Sequence, residues 1–81
     1  MAVSIKFPGM QRIVTNTDSI DMPITENTRV SDALQYVRQQ HPSLPLEEGL
    51  VLVTVNLEAA PLDRTLRDND TISFLPLIAG G

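Results

Sequence analysis

The chain has one histidine and no cysteine, and that pair of facts removes most side-chain chemistry. Without cysteine there is no thiolate nucleophile, no disulfide and no cysteine-ligated zinc. His41 stands alone, so no second imidazole completes a zinc site, and a Ser-His-Asp arrangement in so small a chain has no support. Its position before Pro42 suits a helix C-terminus, where it interacts favourably with the helix dipole. Asp63, Asp68 and Asp70 crowd one stretch. Their spacing is not that of a calcium loop, and the glycine and closing glutamate of such a loop are missing. They are expected to be solvated turn carboxylates, as are Glu47 and Glu48. No glycine-rich phosphate loop occurs. The residues therefore predict no metal site and no cofactor bound by this chain, and they do not point to an autonomous enzyme.

Chemistry concentrates instead at the C-terminus, Leu75-Pro76-Leu77-Ile78-Ala79-Gly80-Gly81. Two of the four glycines are the last two residues. Glycines lack a Cβ, so such a tail can thread a narrow channel into another protein's active site. Gly81, read as the chain's own terminus, presents a carboxylate with no side chain to hinder attack. A carboxylate is a poor acyl donor until it is activated, for instance by adenylation with ATP on a partner enzyme. Once activated, it can take up sulfur as a thiocarboxylate or acylate an amine. Ends that merely fray also tolerate glycine, but the strand feeding this tail is apolar up to Ile78, which solubility alone does not favour.

The rest of the chain must hold that tail. Eighty-one residues make one small domain. With 42% hydrophobic and 20% charged residues the composition is that of a globular protein, not a disordered one. Six basic and ten acidic residues give a net charge of −4. That balance speaks against nucleic acid and against anionic membranes, and leaves room for a basic protein partner. The N-terminus has no charged segment leading into a long apolar run, so no secretory signal is expected and a cytoplasmic location is the default.

Hydrophobic periodicity places the elements. Val3, Ile5 and Phe7 alternate with Ser4 and Lys6, as in a half-buried strand. Pro8-Gly9 breaks it, and residues 10–19 read as the far side of a hairpin or a long loop. Ile20, Met22 and Ile24 form a second strand, with Pro23 marking an edge or late position. Thr28 is the candidate N-cap of a helix, with Asp32 suited to its first turn. Val30, Ala33, Leu34 and Val37 give that helix one apolar face. Leu50 to Asn56 reads as a central strand, with Val51, Val53 and Val55 on one face. A turn at Asn56 and a short strand around Leu57–Ala60 follow. Leu66 is a buried anchor, Asn69-Asp70 a turn, and Thr71–Leu77 the last strand, with Ile72 and Phe74 inward and Leu75 and Leu77 outward. This order predicts an α+β fold of β-grasp type: a mixed sheet of four to five strands with one main helix on one face. The domain is expected over residues 1–78, with residues 79–81 as a flexible Gly-Gly tail.

Val53-Thr54-Val55-Asn56, Leu66, Asp70 and Phe74-Leu75-Pro76 running into Gly80-Gly81 carry a resemblance. So does the helix entry Thr28-Arg29-Val30 with Leu34. Across essentially its whole length the chain resembles the MoaD/ThiS sulfur carriers, which are ubiquitin-like β-grasp proteins, and within them the molybdopterin synthase small subunits. Asn69 replaces the usual glycine of the family's Gly-Asp turn, and asparagine tolerates a left-handed backbone. Leu77 replaces a second proline. The long segment 8–19 favours the molybdopterin type over the shorter thiamine carriers.

The resemblance implies that an E1-like adenylating enzyme uses ATP to form an acyl-adenylate on Gly81. A sulfurtransferase or persulfide donor then makes the thiocarboxylate. A larger synthase subunit (MoaE-like), or a thiazole synthase in a thiamine pathway, receives the tail. By this resemblance Gly81 is the reacting residue, Gly80 and Ala79 are the tail, and Phe7, Ala59 and Leu75 face the partner; alternation independently leaves Leu75 and Leu77 outward, and Ile78, the end of the apolar run, joins them as partner-binding residues. Catalytic arginines and lysines would belong to the partners, so the chain would act as the small subunit of a synthase. The alternatives are a sulfur carrier for thiamine or another sulfur product, a ubiquitin-like modifier joined to other proteins through Gly81, which needs the same tail, and a plain interaction module.

Overall fold

A computed structural model of the chain describes residues 1–44, 46 and 51–76. The order is β1 (Ala2–Lys6), α1 (Met10–Thr15), β2 (Ser19–Pro23), α2 (Val30–Gln40), β3 (Val51–Val55), β4 (Glu58–Ala59) and β5 (Thr71–Pro76). The strands form one mixed sheet in the order β2-β1-β5-β3-β4. The central pair β1–β5 is parallel, with Ile5 opposite Ile72, and the other pairings are antiparallel. This is the β-grasp arrangement that the element order predicts.

Alternation in the strands and the apolar stripe of α2 meet in a single core. Val3, Ile5, Phe7, Met22, Val53, Val55, Ile72 and Phe74 point from the sheet toward Val30, Ala33, Leu34 and Val37 of α2, and Leu44, Leu46 and Leu66 complete it. Each fully buried aliphatic or aromatic side chain is worth about 1.5–3 kcal/mol, so this one layer supplies the main stabilisation. The other sheet face carries Ser4, Lys6, Thr54 and Ser73, as the register requires.

Four expectations need correction. Residues 10–19 are not a hairpin arm or a long loop: they contain α1, a turn and the first residue of β2. Gly9, at φ 58°, turns the chain into α1, a conformation glycine adopts without cost. Asn16, at φ 59°, closes the helix in the left-handed region. Second, the N-cap of α2 is Arg29, not Thr28. The Arg29 N–H donates to the Asp32 carboxylate at 2.8 Å, the return half of a capping box. The Thr28 hydroxyl instead accepts the Thr25 N–H at 2.9 Å. Third, Asp70 is not a solvated turn carboxylate but is buried. Fourth, Phe7 is a core residue, with its ring edge-on to His41 at 5.5 Å, so its side chain offers nothing to a partner on the outer face.

Candidate functional site

The candidate site is the end of the domain from which the C-terminus departs. Because β1 and β5 are parallel, their C-terminal ends lie together. β5 is the middle strand, bonded to β1 on one side and β3 on the other. Pairing with β1 ends at Ser73; beyond it Phe74, Leu75 and Pro76 stay paired with Val53, Leu52 and Val51 of β3, and the Gln11 side chain reaches the Phe74 carbonyl on the other edge. Leu77, Ile78, Ala79, Gly80 and Gly81 lie outside the described residues, as do Glu47 and Glu48.

The far end of β5 is anchored through Asp70. Its carboxylate accepts the Arg67 N–H at 2.8 Å, the Asn56 side-chain amide at 2.9 Å and an Arg64 guanidinium N–H at 3.3 Å. Asn56 returns the tie: its side-chain oxygen accepts the Thr71 N–H at 3.0 Å, and its own N–H donates to the Thr71 carbonyl at 2.8 Å. Burial pushes the Asp70 carboxyl up, but the Arg67 N–H, the Asn56 amide and the Arg64 charge outweigh it and hold the pKa below the usual aspartate value. Asn69, at φ 69°, occupies the left-handed position just before, which is why asparagine can stand where a glycine would be usual. On the β1 side the Ala2 N–H donates to the Asp68 carboxylate at 2.9 Å and the Ser4 N–H to the Asp70 carbonyl at 2.9 Å. The carboxylates that the sequence suggested were idle thus divide: Asp68 and Asp70 stitch three segments together.

At the tail end, the outer sheet face presents leucines. Leu75 is half-buried and lies directly opposite Leu52 of β3, itself 40% exposed. Ala59 shares the same face one row away, opposite Thr54, which pairs with Ser73. The structure therefore brings Leu75 and Ala59 to one face but adds Leu52, which sequence reasoning missed. The signal was present: Leu52 alternates out of phase with Val51, Val53 and Val55, on the face where Leu75 was placed. His41 caps the C-terminus of α2 as expected, its N–H donating to the Val37 carbonyl at 2.8 Å.

Beside this end sits α1. Its one buried side chain is polar: the Gln11 amide donates to the Phe74 carbonyl in β5. Among the described residues no three His, Asp or Glu side chains are grouped to hold a metal ion, and no helix is long and apolar enough to cross a membrane. The site, as geometry, is the end of the central strand beside an outer-face patch made by half-buried Leu75 with exposed Leu52 and Ala59.

Comparison with known proteins places this architecture. The chain is 31% identical over 83 residues to the molybdopterin synthase sulfur carrier subunit of Escherichia coli, covering 98% of this chain and 99% of the relative. It is 28% identical over 75 residues to the protein of the same name from Mycobacterium tuberculosis, covering 93% and 90%. The crystal structure of SAMP1 from Haloferax volcanii superposes with a TM-score of 0.83 over the whole of both chains at 21% identity, a likeness of fold. The ThiS family model matches residues 5–81, and the chain belongs to the ThiS family.

Proposed function

We propose that this chain is a cytoplasmic sulfur carrier for molybdopterin synthesis, with Gly81 as its carboxyl-terminal, reacting residue. The observation that carries the reading is the placement of β5. The central strand, paired with β3 as far as Pro76, leads directly into Leu77-Ile78-Ala79-Gly80-Gly81, so the domain acts as a handle for an end whose last three residues carry little or no side chain. The names of the Escherichia coli and Mycobacterium tuberculosis relatives support the pathway.

A Gly81 carboxylate oxygen attacks the α-phosphorus of ATP on an E1-like partner, and pyrophosphate leaves. A persulfide from a sulfurtransferase displaces AMP to give an acyl disulfide. A thiol of the partner then reduces it, releasing the thiocarboxylate and leaving a disulfide on the partner. In a larger synthase subunit the thiocarboxylate sulfur attacks a carbon of a pterin precursor and displaces an oxygen substituent, which leaves with its bonding pair and takes up a proton; water then cleaves the acyl–sulfur bond, leaving the sulfur on the pterin and restoring the Gly81 carboxylate. Nothing on this chain besides Gly81 reacts, and it binds no cofactor of its own. Gly80 and Ala79 form the narrow end that follows the domain. Leu75, Ala59, Leu77 and Ile78 contribute the apolar contact with the partner, joined by Leu52.

Deletion of the gene in its own host tests the reading. Loss of molybdopterin with thiamine synthesis intact is the expected result, restored by the full chain and not by one lacking Gly81. Loss of thiamine alone would assign the chain to a thiazole synthase. Loss of neither, together with Gly-Gly remnants on lysines of other proteins, would make it a modifier.

A further inference from the structure

The short helix α1 has its polarity reversed. A surface helix ordinarily buries its apolar stripe. Here the residue turned inward is Gln11, while Met10, Ile13 and Val14, spaced i, i+3 and i+4 on one face, are 71%, 68% and 46% exposed. Three neighbouring aliphatic side chains in water mark a surface that something covers. Nothing in the domain requires this exposure, because the inward Gln11 is committed to the Phe74 carbonyl.

The position of α1 identifies the cover. Gln11 ties it to Phe74, two residues before the end of β5. Only residues 77–81 separate Pro76 from the carboxylate of Gly81. Five residues span at most about 17 Å when fully extended. An enzyme that closes its active site on the Gly81 carboxylate must therefore bring its surface to within that distance of Pro76, and α1 is joined to the same end of β5 through the Gln11–Phe74 bond.

We propose that Met10, Ile13 and Val14 form a docking ridge that seats in an apolar trough on the adenylating enzyme that closes on the Gly81 carboxylate. The inference rests on the sulfur-carrier reading and extends it, because the ridge belongs to α1, apart from the sheet-face residues Leu52, Ala59 and Leu75. Gln11 is the positioning residue: it fixes the ridge relative to the strand that bears the tail. The ridge contributes to binding, not to chemistry at Gly81, so its loss raises KM and spares kcat.

The test uses the full chain with MgATP and the adenylating enzyme of its own host, reading pyrophosphate release against carrier concentration. Ile13→Glu is expected to raise KM for the carrier roughly tenfold or more, as loss of a central interface side chain does, with kcat within about twofold. Leu57→Glu, at the opposite end of the sheet where the side chain is 96% exposed, is expected to match wild type. A second measurement needs no variant: amide exchange of residues 10–15 in the wild-type chain should slow when the enzyme is added. Unchanged KM in a folded Ile13→Glu, or unchanged exchange in α1 while the carrier turns over, overturns the ridge and leaves the carrier reading standing. If the wild-type chain never supports pyrophosphate release, both fall.

Discussion

Replacing Asp70 with alanine should cost more than any other single change at the surface-proximal turns. The variant removes the acceptor for the Arg67 N–H, the Asn56 amide and the Arg64 guanidinium at once. Arg64 is about a third exposed, so water screens that pair and it counts for little. The two short bonds dominate. Each donor left without its acceptor costs about 1–3 kcal/mol, less where water reaches it, and about 3 kcal/mol is a reasonable total. A domain of this size holds about 4–12 kcal/mol in all, so the loss is a large share. Thermal unfolding should move down by roughly 12–24 °C, at about 4–8 °C per kcal/mol. The pH dependence supplies an independent check. The folded carboxyl lies below its ordinary value, so in the window between the folded and unfolded pKa the unfolded chain binds the extra proton. Stability from Asp70 is therefore complete above about pH 4, the unfolded value, and is lost as pH falls through the folded pKa. Urea unfolding of wild type and Asp70→Asn at pH 7 and across the acid range reads both effects, because the difference between them isolates this residue. An alanine variant within about 0.5 kcal/mol of wild type, where ordinary surface changes fall, would refute the reasoning. So would an acid slope unchanged in Asp70→Asn.

Three further outcomes follow from the same contacts. Leu57 holds φ 72° as the second residue of a two-residue turn whose first, Asn56, is also left-handed; Leu57→Gly should stabilise the domain by about 1 kcal/mol, and a lower midpoint in thermal melts would show that the leucine is doing something the turn geometry does not reveal. Gln11→Ala leaves the Phe74 carbonyl without its side-chain donor and should cost about 1–3 kcal/mol, measurable by urea unfolding; a cost near zero would mean α1 is not tied to β5. Leu75→Glu should leave cooperative melting intact while weakening capture by the larger synthase subunit, and loss of cooperative melting would instead make Leu75 part of the core.

What the sequence revealed and what it hid have physical reasons. The stripe Val30, Ala33, Leu34, Val37 announced α2 because those side chains face the core. The alternations in β1, β2, β3 and β5 were visible for the same cause. α1 was hidden because its buried residue is a glutamine and its aliphatic residues face water, so a search for apolar burial reads it backwards. Asp70 reads as a solvated carboxylate because its side-chain acid–amide partner, Asn56, lies 14 residues away in another turn, and no local pattern links the two. Asn69 was legible, since a residue standing in for a glycine must accept a left-handed backbone, and it does. Phe7 closed the inward stripe of β1 by simple alternation. The resemblance placed it at a docking surface, and its burial shows that alternation was the better guide. The Leu52–Leu75 pair needed the register of β3 against β5, which only the folded sheet supplies.

The central claim is that the last main-chain carboxylate carries sulfur. Intact mass spectrometry of the full chain, co-expressed with the adenylating enzyme and sulfurtransferase of its own host, measures it directly. A sulfur carrier yields a species heavier than the unmodified chain by the difference between one sulfur and one oxygen, located by fragmentation at Gly81 and absent when Gly81 is deleted. A chain whose mass never changes under those conditions, or whose added sulfur maps to any residue other than Gly81, would contradict it.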